Sequence, residues 1–252
     1  GTVVDVETIV SRARADRTPS PARFSATTML ASAASADAAD DDLDAAVKVS
    51  THLQGWDLAA YAASFRSREQ RHFMAASGLR SDRPRLNHLG ASLTGNAAAG
   101  VVWLEGAVRH AGETQRNAVS RHFLGSSAKL IVGYSREVGQ DITASAQLQL
   151  EASTAYERYV AALAPGVQPV KRLGSTLHMR LQSHWMNQTL AAGVQLFAGN
   201  EGDTHVNPFA SWSPADGWTI EAGANLFNGR RNTRYGAFKD DSNVYVMGRY
   251  SF

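Results

Sequence analysis

Apolar and polar residues alternate with a period of two along most of the chain, the pattern of strands with one apolar and one wet face. The last segment sets it out: Val244, Val246, Gly248, Tyr250 and Phe252 share one face, while Tyr245, Met247, Arg249 and Ser251 share the other. Residues 218–227 repeat the pattern, with Trp218, Ile220, Ala222, Ala224 and Leu226 opposite Glu221 and Asn225. The same alternation predicts strands near residues 46–53, 56–65, 86–94, 101–110, 128–136, 142–151, 177–185, 189–198 and 206–212, with a weaker one over 22–33. At roughly ten residues per span this gives about twelve strands. An even number brings both ends of the sheet to one side.

The connections alternate as well. Short turns at Gln54-Gly55, residues 94–99, 138–141, 186–188 and 213–217 take turns with longer polar links at 37–44, 66–85, 112–125, 153–174, 199–204 and 229–241. Bacterial transmembrane barrels have short periplasmic turns and longer outer loops, so the expected fold is an all-β, antiparallel transmembrane β-barrel. Trp56, Trp185, Trp212 and Trp218 fall beside the short turns, where an interfacial aromatic girdle would need them. A soluble sandwich also alternates, but it does not dictate this succession of short and long links. At the other end, Val3, Val6, Ile9 and Val10 stand at near-helical spacing. Residues 1–21 are therefore expected to be a periplasmic tail, a plug or a short helix, and residues 22–252 the barrel.

Composition narrows this picture only a little. The chain has no run of eighteen apolar residues, which excludes helical membrane spans, and its mean hydropathy of -0.26 fits a barrel that hides apolar residues at every second position. There is no cysteine, in keeping with export through an oxidising compartment. A formal net charge of +2 gives no sign of nucleic-acid binding. The absence of an export signal at Gly1 reads as a mature or trimmed form.

Several stretches go further. Val132-Gly-Tyr-Ser135 with Gln140-Asp-Ile-Thr143, Gln188-Thr-Leu190, Asn207-Pro208, Asp216-Gly-Trp218, Gly223-Ala-Asn-Leu-Phe227, Gly236-Ala-Phe238, and Asp241-Ser-Asn-Val-Tyr245 through Arg249-Tyr-Ser-Phe252 resemble a family of porin-like or alginate-export-like proteobacterial outer-membrane barrels. The resemblance is clearest from Leu86 to Phe252. It implies an outer-membrane channel and brings no catalytic residues.

Parity points Lys48, His52, His88, Glu105, Arg109, Lys129, His178, Arg180, His184, Glu221 and Arg249 inward, because Arg or Lys facing lipid near midplane costs roughly 2–4 kcal/mol. Basic groups outnumber acids in this set, so the expected lumen favours polar or anionic solutes. The bland alternative is that Glu105 with Arg109, and Glu221 with Arg249, brace the wall as pairs. The arginine-rich link over 66–85 would meet the phosphates of lipopolysaccharide at the outer face. The expected partners are thus outer-membrane lipids, lipopolysaccharide and a small solute.

No metal or cofactor is expected. His178 and His184 are six apart on one strand, about 20 Å, too far to share an ion. The acidic stretch 37–44 lacks the glycine and closing glutamate of a calcium loop. Enzymatic activity is not expected either: there is no His-x-Ser and no Gly-x-Ser-x-Gly, and neither Ser50-Thr-His52 nor Ser120-Arg-His122 has an evident carboxylate to orient its histidine. Two competing readings are an autotransporter-type translocator threaded by an N-terminal helix and, further off, an outer-membrane lipid hydrolase.

Overall fold

The computed structural model describes residues 4–12, 43–68, 70–112, 116–119 and 125–251. The weak strand expected over 22–33, most of the acidic stretch 37–44, His122 with its Ser120, and the terminal Phe252 lie outside the described residues. The fold is all-β. One large sheet begins with β1 (Val4–Arg12), β2 (Leu43–Leu53) and β3 (Trp56–Arg66). The link after β3 holds a separate hairpin of β4 (Arg71–Ala75) and β5 (Gly78–Asp82). The sheet then resumes in chain order with β6 (Arg85–Ala97), β7 (Gly100–Ala111), β8 (Ser127–Gly139), β9 (Ile142–Ser153), β10 (Leu173–Trp185), β11 (Leu190–Gly199), β12 (Thr204–Trp212), β13 (Trp218–Asn228) and β14 (Asn243–Tyr250), twelve strands in all. A short helix α1 (Tyr156–Ala162) follows β9, and a 3-10 helix (Gly236–Asp241) precedes β14.

Eleven of the expected strands are present, most of them longer by a few residues. The first strand is a correction. Where near-helical spacing predicted a tail or helix, Val4–Arg12 pairs antiparallel with β2, from Val4 opposite Thr51 to Arg12 opposite Leu43. Val4, Val6, Thr8 and Val10 also alternate, and they are β-branched, which suits a pleat. A helix of this length is marginal by itself in water, whereas the free edge of β2 offers a full ladder. A second correction concerns 199–204, expected as a long link: Asn200–Asp203 joins β11 to β12 as a tight turn.

The short connections reduce to Gln54-Gly55, Ala98-Ala99, Gln140-Asp141, residues 186–189 and residues 213–217. They carry the positive φ angles that hairpin turns require: 49° at Gln54 with 84° at Gly55, 52° and 57° at Ala98 and Ala99, and 58° at Asp141.

Contacts divide the chain into two compact units: Gly1–Leu93 with Glu105–Lys129 and Ala152–Arg172, and Thr94–Leu104 with Leu130–Glu151 and Leu173–Phe252. In the first, β2 shows Val47, Val49 and Leu53 exposed on one face and Lys48, Ser50 and His52 on the other. Among the described residues its interior consists of two small clusters, one in the connections and one at the strand ends beside them. Ala118 (fully buried), Tyr159 and Ala162 gather Tyr156, Leu163 and Val170 around them, and Leu86 with Ala111 packs on Phe65.

In the second unit the register settles the faces row by row. Leu181 lies opposite Val194, and Val194 opposite Pro208, in an apolar row. Arg180 lies opposite Gln195, and Gln195 opposite Asn207, in a polar one. Leu177, Met179, Leu181, Val194, Ile220 and Leu226 are all exposed despite being apolar. Among the described residues of the whole chain, only Leu86, Ala111, Ala118, Tyr159 and Ala162 are buried hydrophobics. A water-soluble chain of this length ordinarily buries far more.

Candidate functional site

The polar face is the candidate site. In the first unit, Lys48 on β2 stands in register with Tyr61 on β3, and the Tyr61 ring occupies the space that a side chain at Gly90 of β6 would need. His88 stacks on Phe65, ring centroids 5.1 Å apart, close enough to Arg109 and Lys129 to feel both charges. Arg109 Nε donates to the Gly125 carbonyl at 3.1 Å, and Glu105 lies near the Tyr61 hydroxyl. His52 and Asp57 meet across the Gln54-Gly55 turn at 2.8 Å, both exposed.

That last contact corrects the sequence reading, which found no carboxylate to orient His52. Asp57 is two positions past the turn, so hairpin register places it directly opposite. Among the described residues no hydrogen bond joins the Ser50 hydroxyl to His52.

The second unit carries a ladder along β10. Arg180 donates to Gln182 Oε1, the Gln182 amide nitrogen lies 2.8 Å from His184 Nε2, and the Arg180 guanidinium sits over the Phe209 ring at 5.4 Å. Across β12 to β14 runs a network of polar groups. Asn225 Oδ1 accepts from Asn207 at 3.4 Å and lies 3.1 Å from His205 Nε2, while Asn225 Nδ2 donates to Asn243 Oδ1 at 3.1 Å. The Tyr245 hydroxyl donates to Glu221 at 3.0 Å. Glu221 is thus held by Tyr245, while Arg249 stands in register with Thr219, so the pairing of Glu221 with Arg249 is not the arrangement found.

Toward the long-connection end, four rings on four successive strands stack in a row: His178 on Phe197 at 4.3 Å, Phe197 on His205 at 5.4 Å, and His205 on Phe227 at 4.4 Å. Stacked rings cover one another's faces; His205 Nε2 is turned to Asn225 Oδ1, while His178 Nε2 is buried. Tyr235, from the connection between β13 and β14, leans over Phe197 and His205 at 6.0 Å from each. That connection is pinned by Asp203, whose side chain is 1% exposed and accepts the Tyr235 N–H at 2.8 Å. Burial pushes the Tyr235 phenol above its ordinary pKa; the Arg234 charge works against this, and Asp203 adds to it.

The residues expected on the inner wall therefore divide between the units: Lys48, His52, Glu105, Arg109 and Lys129 in the first, and His178, Arg180, His184, Glu221 and Arg249 in the second. Of the first group, Arg109 and Lys129 meet around His88, while His52 pairs elsewhere. The sequence reading missed Tyr61, Trp103, Phe197, His205, Phe227 and the Asn207–Asn225–Asn243 ladder. All share the parity of the charged set, and that parity was the signal available. Asp57, Glu137 and Glu151 share it too, so with Glu105 and Glu221 the carboxylates equal the five Lys and Arg of that set and only the histidines remain in basic excess. Among the described residues no group of three histidines or carboxylates is placed to hold a metal ion.

Compared with protein-family models, curated proteins and solved structures, the chain matches none.

Proposed function

We propose that the sheet closes on itself as a β-barrel in a bacterial outer membrane and that small polar or anionic solutes diffuse through it. The observation that carries this reading is the division of faces. Large apolar side chains stand exposed at every second position, polar ones fill the alternate positions, and almost nothing apolar is buried among the described residues. Water penalises such a surface by about 25 cal/mol for each Å² of apolar area, whereas a hydrocarbon slab welcomes it. Trp185, Trp212, Trp218 and Tyr250 lie exposed at the short-turn end, as an interfacial girdle requires. The unusual exposure of Val244 (83%) and Val246 (78%) on β14 fits an apolar face turned to hydrocarbon.

In this reading the short turns are periplasmic and the long connections lie outside. The chain is then a channel of the porin-like, alginate-export-like kind its sequence resembles. Passage needs no covalent step or cofactor: lumen width and wall charge set the barrier. The translocator alternative draws less support, because the segment it would use as a helix is strand β1.

The test is planar-bilayer recording of the refolded protein under a salt gradient. Discrete conductance steps with a reversal potential on the anion side are expected. A folded, inserted protein without conductance would overturn the channel reading, and a cation-side reversal would overturn its selectivity.

A further inference from the structure

Three of the long connections are not separate loops. The β4–β5 hairpin meets residues 116–119, where Met74 N–H donates to the Asn117 carbonyl at 2.9 Å and Val119 N–H to the His72 carbonyl at 3.1 Å. Residues 116–119 in turn meet the segment after α1: Ala118 N–H donates to Ala162 O at 2.8 Å, and Ala164 N–H to Ala118 O at 2.9 Å. Tyr159 accepts the Val170 N–H at 2.9 Å, and Tyr156 donates to the Val170 carbonyl at 3.0 Å. Inside the hairpin, buried Arg71 grips Asp82 with two contacts, at 2.9 and 2.6 Å. The result is a small cap with its own core at Ala118, Tyr159 and Ala162.

This cap is where the positive charge of the chain collects. Residues 66–85, 112–126 and 153–172 contain ten arginines and one lysine against Glu69, Asp82, Glu113 and Glu157, a balance of +7 in a chain whose total is +2. The rest of the chain is therefore net acidic, at -5. Asp82, one of the four acids, is already committed to Arg71. Arg66, Arg68, Arg80, Arg85, Arg116, Arg158, Lys171 and Arg172 are exposed. Nearly all of these cations are arginines, and the guanidinium fork binds two oxygens of one oxyanion where a lysine offers only a point charge. The backbone hydrogen bonds that join these segments reduce the loop ordering that would otherwise oppose binding.

We propose that this cap binds the phosphate monoesters of glycolipid headgroups in the outer leaflet, fixing the protein among phosphorylated saccharolipids. The inference rests on the outer-membrane reading, which places the long connections on the leaflet where such lipids lie. Phosphate monoesters approach two negative charges near neutral pH and expose three oxygens, which matches several forked cations better than a phosphodiester does.

The experiment uses the full chain folded into phosphatidylcholine vesicles that carry bisphosphorylated lipid A, dephosphorylated lipid A or phosphatidylglycerol. Insertion is scored by protease protection of the strands, and capture of each lipid by co-purification after detergent extraction. The expected result is equal insertion in all three, at least tenfold greater retention of bisphosphorylated lipid A, and loss of that excess in the combined variant Arg80→Gln, Arg116→Gln, Arg158→Gln, Lys171→Gln. Added inorganic phosphate should displace the lipid only weakly, whereas full displacement would assign the site to free phosphate and overturn the lipid proposal. Insertion with equal retention of phosphatidylglycerol, or unchanged retention by the variant, would overturn the cap proposal alone. Failure to insert in any vesicle would overturn the membrane reading and this one with it.

Discussion

The indole of Trp103 lies against Gly133, so close that a Cβ built on that glycine would fall inside the ring, and its Nε1 donates to Gln147 Oε1 at 3.1 Å. The pair joins β7 to β8, with β9 supplying the acceptor. An aromatic that shelters a strand glycine restores the packing the glycine lacks.

Gly133→Ala should therefore destabilise the protein by about 1–3 kcal/mol, the usual range for overpacking, and should shift tryptophan emission. Urea unfolding in detergent, followed by fluorescence, measures both. Adding Trp103→Ala to Gly133→Ala should recover part of the loss, because the clash goes with the ring. Strictly additive losses would show that the two residues do not share this contact.

The two faces make opposite demands on one substitution. Leu181→Arg places a cation on the apolar face of β10 and should cost roughly 2–4 kcal/mol of folding into phospholipid. Gln182→Arg, one residue on, gives up the contacts with Arg180 and His184 but keeps its cation on the polar face, so it should cost less than Leu181→Arg. Equal costs, measured by denaturant titration in lipid vesicles, would be incompatible with a lipid-facing Leu181.

Asp203 governs the connection between β13 and β14. Asp203→Ala removes the buried acceptor of the half-buried Tyr235 N–H, a loss of about 1–3 kcal/mol, and should speed trypsin cleavage after Arg230, Arg231 and Arg234. Asp203→Asn keeps an acceptor oxygen and should lose less. Cleavage rates that match the parent protein's would rule out the tether.

Tyr235 adds a pH dependence to the same connection. Burial raises its folded-state pKa above the ordinary value of about 10, so its contribution is complete below that value and is lost as pH climbs through the folded value. Phenolate absorbance, with Tyr235→Phe as the blank, should show one tyrosine titrating late, and the connection should loosen as it ionises. In Tyr235→Phe that alkaline loosening should be absent.

At the Ala98-Ala99 turn both residues adopt left-handed φ, which costs an alanine roughly 1–2 kcal/mol. Replacing the pair with Asn-Gly relieves most of this and should stabilise the protein by about 1 kcal/mol after the entropy of glycine is counted. The Tyr134 hydroxyl, which donates to the Ala98 carbonyl at 2.6 Å, keeps its acceptor in the variant. Thermal unfolding in detergent checks the sign.

Most of the sheet was legible in the sequence because period-two alternation is a local property that each strand carries by itself. In β13 the expected span of 218–227 and the observed Trp218–Asn228 nearly coincide, because Asp216-Gly217 and Gly229 punctuate its two ends. The N-terminal strand was misread because Val3, Val6, Ile9 and Val10 satisfy a helical spacing while Val4, Val6, Thr8 and Val10 satisfy a strand one, and the partner that decides between them, β2, lies far along the chain. The site was legible only as parity. Which polar groups meet depends on register, as His52 with Asp57 and Glu221 with Tyr245 show, and register is fixed between strands rather than within one. Asp203 gave no signal at all, since a lone aspartate in a turn looks the same whether it is solvated or buried.

The scarcity of buried apolar residues reaches beyond the finished protein. With only five hydrophobic residues buried among the described ones, a newly made chain of this kind leaves most of its valines and leucines open to water. Under the outer-membrane reading proposed above, the passage to the bilayer rather than the final state is where such a chain is most exposed to aggregation.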